Sequence, residues 1–176
     1  IMARITPIAD HADFAPANLV IEADTEREEI KRKIFESVGK HMSDTAILAT
    51  NTSSIPITRL AQAAPDPARF MGVHFFNPVP VMNLIELIRG LATSDETVAA
   101  VEAYGQSLGK EIVRANDAPG FIVNRVLMPM LNEACFALGE GVSSIEDIDT
   151  AIRLGLNHPM GPFTLADFIG LDTCLE

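Results

Sequence analysis

Cysteine is nearly missing from this chain. Cys135 and Cys174 are the two in 176 residues; they lie far apart, with no CxxC and no adjacent His. Neither a disulfide framework nor a zinc site is indicated, and a reducing compartment fits. Cys135, set among Ala134, Phe136 and Leu138, reads as a buried inert thiol. Positive charge is scarce too: 13 Lys and Arg face 24 Asp and Glu, a formal charge of -11. With no basic run to offset it, that balance repels nucleic acid and anionic membrane. No apolar stretch approaches the roughly 18 to 20 residues of a membrane span, and no signal-type apolar segment follows the amino terminus, so a cytoplasmic protein is expected. Low-complexity tracts and internal repeats are lacking as well. What is there, 48% apolar and 21% charged residues, is the composition of a soluble globular protein of one ordinary or two small domains. An internal-looking Ile1 and a pattern that stops midway at Glu176 point to truncation at both ends.

Three short, β-rich, nearly unalternating runs, at residues 19–23, 46–50 and 70–76, read as strands buried on both faces. Between the first two, Thr25 and Glu28 form a capping box and Ile30, Ile34, Phe35 and Val38 share one helical face before Gly39, which makes a βαβ crossover. A shorter crossover with Pro56 at its helix start and Ile57, Leu60 and Ala61 on its apolar side joins the second run to the third. The alternation predicts an α/β fold with a mostly parallel sheet. The next strand, at 83–89, follows after about six residues containing Pro78 and Pro80. A parallel return needs about a dozen residues, so if this strand pairs with the run before it, it pairs antiparallel. A hairpin whose opposed positions sum to 160 sets His74 against Glu86; a slip of one residue sends them to opposite faces. A helix over 94–108 opens with Thr93 and Glu96 as a second capping box, and a short strand follows at 111–115. From residue 117 onward the texture is helical: 121–138, kinked at Pro129, then a capped helix from Ser143 to Leu154.

Chemistry gathers where the parallel strands end, because open α/β sheets place their ligand crevices there. His74 sits at such an end. A carboxylate beside an imidazole fixes its tautomer and makes it a better proton acceptor, which suits a general base. A hydrogen-bonded structural histidine is the plainer reading. Glu86, among Leu84, Ile85, Leu87 and Ile88, favours the pair, since a carboxylate in a buried strand is costly unless partnered. Asn51-Thr52-Ser53-Ser54 is either ordinary turn and N-cap chemistry or the polar floor of a ligand crevice. Glu22, Glu26 and Lys31 either edge that crevice or form a solvated charged face. Asn124, at the junction of the α/β and helical parts, bridges to a ligand or caps a loop. His158 belongs to a turn-rich connector, and His11 and His41 have no partner nearby in sequence. The pair Gly139 and Gly141 follows a helix, so it fails as a dinucleotide fingerprint, and spacing alone points to no cofactor.

Four segments, Ala49-Thr50-Asn51-Thr52-Ser53-Ser54, His74-Phe75-Phe76-Asn77-Pro78-Val79-Pro80-Val81-Met82, Asn116-Asp117-Ala118-Pro119-Gly120-Phe121-Ile122-Val123-Asn124-Arg125 and Leu154-Gly155-Leu156-Asn157-His158-Pro159-Met160-Gly161-Pro162, resemble the 3-hydroxyacyl-CoA dehydrogenase family in order along the chain, on the side of its bacterial 3-hydroxybutyryl-CoA members. The resemblance implies a Rossmann-like NAD-binding domain over 1–116, incomplete because the family's opening strand, Gly-x-Gly-x-x-Gly turn and helix are not in this sequence. Over 117–176 it implies the start of a C-terminal α-helical domain that carries dimerisation and part of the substrate site, with further helices beyond Glu176. The implied reaction oxidises an L-3-hydroxyacyl-CoA, of short chain, to the 3-ketoacyl-CoA with NAD. By resemblance His74 removes the hydroxyl proton, Glu86 orients it, Ser53, Asn77 and Asn124 contact substrate, and Glu22, Glu26, Lys31 and Asn51 line the NAD side. Metal is not implied. The alternative is a non-catalytic acyl-CoA-binding or structural relative without the phosphate loop.

Overall fold

The computed structural model describes residues 2–175, with the side chain of Met2 left aside. They divide into two compact units, one ending at Phe121 and one beginning at Ile122. The first holds a five-stranded sheet in the order β1 (Leu19–Glu22), β2 (Ile47–Thr50), β3 (Phe70–Phe75), β4 (Leu84–Arg89), β5 (Glu111–Asn116). Every neighbouring pair is parallel except β3 and β4. That exception has the register expected from loop length, with His74 opposite Glu86. Helix α1 (Glu28–Gly39) links β1 to β2, the four-residue α2 (Ile57–Leu60) lies between β2 and β3, and α3 (Asp95–Ser107) crosses from β4 to β5.

Strand alternation divides the core in two. Val20, Leu48, Phe70 and Ile88 pack on one face with Phe35 and Val38 of α1 and Ile57 and Leu60 of α2. Ile47, Ala49, Met71, Val73, Ile85 and Leu87 pack on the other with Val98 and Val101 of α3. By the same alternation Glu22, Thr50, His74 and Glu86 lie on the α1 and α2 face, beyond its apolar part. Gly72 lets α2 come this close: a Cβ there would stand 2.7 Å from Ile57 Cδ1. The amide groups that open α2 are held from far along the chain, Ile57 N and Thr58 N each donating to the Asp117 carboxylate at 2.7 Å.

In the second unit, α4 (Val123–Gly139), α5 (Ile145–Gly155), α6 (Pro162–Ile169) and α7 (Leu171–Leu175) follow one another. Helix α4 runs through Pro129. Its buried side chains are Leu131 and Ala134, whereas Cys135, one position round the helix, is exposed rather than buried. Asp149 of α5 accepts from Phe163 N at 2.8 Å and Thr164 N at 2.9 Å. Gly161 makes room for this: a Cβ there would lie 2.4 Å from the Asp149 backbone. The Asn157 to Pro162 motif, with His158 half-buried, is thus a helix junction.

Both expected capping boxes are corrected. Helix α1 begins at Glu28, and Thr25 Oγ1 accepts from Arg27 N, two residues on, at 3.3 Å. The Thr93 hydroxyl donates to Phe70 O and accepts from Gly90 N, which ties it to the sheet. Ser94 therefore caps α3, accepting from Thr97 N. Ser144, rather than Ser143, caps α5. No helix among the described residues is long and apolar enough to cross a membrane.

Candidate active site

Strand β3 carries His74 one residue before its end, and β4 carries Glu86 directly opposite. His74 Nδ1 lies 2.8 Å from Glu86 Oε2, with side-chain exposures of 6% and 0%. Two aromatic rings flank the imidazole: Phe76 at a centroid distance of 4.5 Å and Phe121 at 5.7 Å. A buried carboxylate at hydrogen-bond distance orients the ring and favours the tautomer protonated at Nδ1, so the second nitrogen is left as a proton acceptor.

Along the same carboxyl edge, Glu22 closes β1. Its Oε1 accepts from Asp24 N at 2.8 Å, while its Oε2 accepts from Lys31 Nζ and Thr50 Oγ1, both at 2.7 Å. Lys31 is 1% exposed, so Glu22 and Lys31 are an internal ion pair rather than a solvated face. One oxygen of Glu26 gathers the turn after β2. Thr52 Oγ1 donates to it at 2.6 Å, Ser53 N at 2.7 Å, and Ser54 N and Oγ at 3.0 Å. The other oxygen stands 3.7 Å from Lys31 Nζ. Asn51 joins neighbouring strands: its N donates to Glu22 O and its Oδ1 accepts from Phe75 N, both at 2.8 Å. With the Ser53 backbone fixed in this way, its hydroxyl makes no bond among the described residues.

Glu22, Glu26, Lys31, Asn51, Ser53, His74, Asn77 and Glu86 are therefore gathered in the first unit around the ends of β1 to β3. Asn77 is exposed just beyond β3, and Asn124 is half-buried at the second position of α4 in the other unit. Sequence reasoning missed Thr50, 0% exposed; a hydroxyl ending an otherwise apolar strand was the available signal. His11, given no role, has Nδ1 2.8 Å from Ser37 Oγ, away from this edge. Among the described residues no cluster of metal-binding side chains occurs.

A mostly parallel sheet with polar groups collected at its carboxyl edge, a buried His–Glu pair among them, has the form of a Rossmann-type nucleotide-binding fold.

A family profile described as 3-hydroxyacyl-CoA dehydrogenase, NAD binding domain, matches residues 1–118, and that of the family's C-terminal domain matches 120–176. A probable 3-hydroxybutyryl-CoA dehydrogenase of Deinococcus radiodurans is 54% identical over 99% of this chain and 63% of its own. The 3-hydroxybutyryl-CoA dehydrogenase of Bradyrhizobium diazoefficiens is 53% identical over 99% of this chain and 60% of its own. The solved (S)-3-hydroxybutyryl-CoA dehydrogenase of Ralstonia eutropha superposes with a TM-score of 0.96 at 52% identity, covering 99% of this chain and 62% of that one. The chain belongs to the 3-hydroxyacyl-CoA dehydrogenase family, carrying its NAD-binding domain and the start of its C-terminal domain. It spans about three fifths of the length of these relatives. The alternative of a non-catalytic relative finds no support among them.

Proposed function

We propose that the protein is an NAD-dependent dehydrogenase of L-3-hydroxyacyl-CoA, with 3-hydroxybutyryl-CoA as its short-chain substrate. The observation that carries this reading is the 2.8 Å contact between two buried side chains, His74 Nδ1 and Glu86 Oε2, in a chain more than half identical to proteins named for that activity.

In this reading the C3 hydroxyl binds at His74 Nε2, which takes its proton as the C3–O bond becomes a carbonyl. NAD supplies the acceptor for the hydride that leaves C3. Glu86 holds the Nδ1 proton, keeps the ring in the accepting tautomer and stabilises the imidazolium once it forms. Ser53, Asn77 and Asn124 contact the hydroxyl and thioester region. Glu22, Glu26, Lys31 and Asn51 serve the NAD side: Glu26 and Asn51 hold the turn and strand ends that meet the cofactor, and buried Lys31 acts through Glu22 and Glu26. A homodimer formed through residues 117–176 belongs to the same reading, supported by the exposed apolar side chains of Val126, Phe136, Leu154 and Phe168. So does a cytoplasmic location, supported by the acidic composition and two unpaired cysteines.

The test is reduction of NAD by the full-length protein with L-3-hydroxybutyryl-CoA, for wild type and Glu86→Gln. The dehydrogenase reading expects turnover with the wild type, and a loss in Glu86→Gln that falls on kcat far more than on KM. A loss no greater than that caused by changing the exposed Glu36 would remove the dyad.

A further inference from the structure

Residues 76–83 join the strand of His74 to the strand of Glu86. Within them Val81 N and Met82 N both donate to Pro78 O, at 2.9 and 3.0 Å, which winds one helical turn. The last carbonyls of such a turn have no partner of their own. Here they have one from outside: Lys110 Nζ donates to Val79 O at 2.6 Å and to Met82 O at 2.7 Å. One residue on, Glu111 N donates to Asn83 O at 2.7 Å, where β5 starts to pair with β4. Lys110 pairs with no carboxylate among the described residues, so its charge is directed to the turn, where the negative ends of the peptide dipoles collect.

The side chains of this turn contrast with its polar anchorage. Val79 is 43% exposed, Val81 74% and Met82 41%. Three neighbouring apolar side chains held toward solvent on a fixed backbone have the form of a ligand wall. The loop leaves β3 through Phe76, whose ring packs on His74, and then Asn77.

We propose that Lys110 is a positioning residue: it clamps the loop joining the two strands of the His–Glu pair, and so presets an apolar wall for the acyl chain of the substrate. This rests on the dehydrogenase reading above. A loop ordered before binding loses less freedom when substrate arrives, so the clamp acts on substrate affinity. It does not touch the reacting atoms.

The experiment compares wild type, Lys110→Met and Lys110→Arg in the full-length protein by two readouts. The first is amide exchange over residues 79–83. Lys110→Met is expected to speed exchange there, and Lys110→Arg, which keeps two donors in reach, to slow it again. The second is kinetics with 3-hydroxybutyryl-CoA: KM for the acyl-CoA should rise roughly tenfold in Lys110→Met, with kcat within about twofold and KM for NAD unchanged, and Lys110→Arg should recover most of it. Unchanged exchange in Lys110→Met overturns the clamp. Faster exchange with an unchanged acyl-CoA KM, or equal rises in both KM values, overturns the positioning role. If the wild type oxidises no 3-hydroxyacyl-CoA, the dehydrogenase reading and the acyl wall fall together, while exchange still decides the clamp.

Discussion

Glu22 and Glu86 are two carboxylates on the same face of one sheet, 5% and 0% exposed, and they differ in what they hold. Glu22 meets the ammonium of Lys31, with Thr50 as a further donor. Glu86 meets the imidazole of His74. An ammonium offers only donors, whereas a neutral imidazole offers one donor and one acceptor nitrogen. The first pair therefore braces the ends of β1, β2 and α1 as an ion pair, while the second orients a ring whose other nitrogen is a proton acceptor. The partner, more than the burial of the acid, decides whether a buried carboxylate supports structure or chemistry.

The largest test of that contrast is catalytic. Glu86→Gln keeps the shape of the side chain but can donate to Nδ1, which favours the opposite tautomer. Turnover in NAD reduction is expected to fall about a hundredfold or more, with urea unfolding changed by only about 1 kcal/mol. A loss in unfolding free energy without a loss in turnover would merge the two acids into one structural kind.

Lys31→Met should behave the other way. Removing one member of a buried pair strands the charge of the other, at a cost of about 3–5 kcal/mol in unfolding free energy. Adding Glu22→Gln to that variant removes the stranded charge and should return most of the loss, a coupling that a double-mutant cycle reads directly. Additive losses would mean that the Glu22 carboxylate does not depend on Lys31.

Much of this was legible in the sequence where the distances along the chain are short. The His74 and Glu86 register follows from a loop too brief for a parallel return, and the strands follow from unalternating apolar runs. The caps were misread because several hydroxyls compete at each helix start. Thr93 reaches the carbonyl of Phe70, 23 positions away, and no local pattern announces that. Lys110, Asp117 and Asp149 escaped for the same reason: each bonds backbone groups of a distant segment, so its role exists only once the fold has formed. Glu22 and Lys31, nine positions apart, looked like an exposed charged face because periodicity does not reveal that a strand end and a helix turn enclose them.

A third use of a carboxylate, neither paired with a cation nor moving a proton, gives the smallest effect. Burial pushes the Asp149 carboxyl up. The bond from the Thr164 hydroxyl and those from the Phe163 and Thr164 amides outweigh that, and its pKa lies below the ordinary aspartate value. An acid whose pKa is lower folded than unfolded adds stability that is complete above its unfolded pKa, near 3.9, and fades as pH falls through the folded one. Asp149→Asn should therefore cost about 1 kcal/mol at neutral pH, as for a lost helix cap. The gap from wild type should narrow as the pH is lowered from about 5 toward 2. Urea titrations of both proteins across that window check it. A gap constant with pH would show that Asp149 holds α6 by shape and neutral hydrogen bonding, with no contribution from its charge.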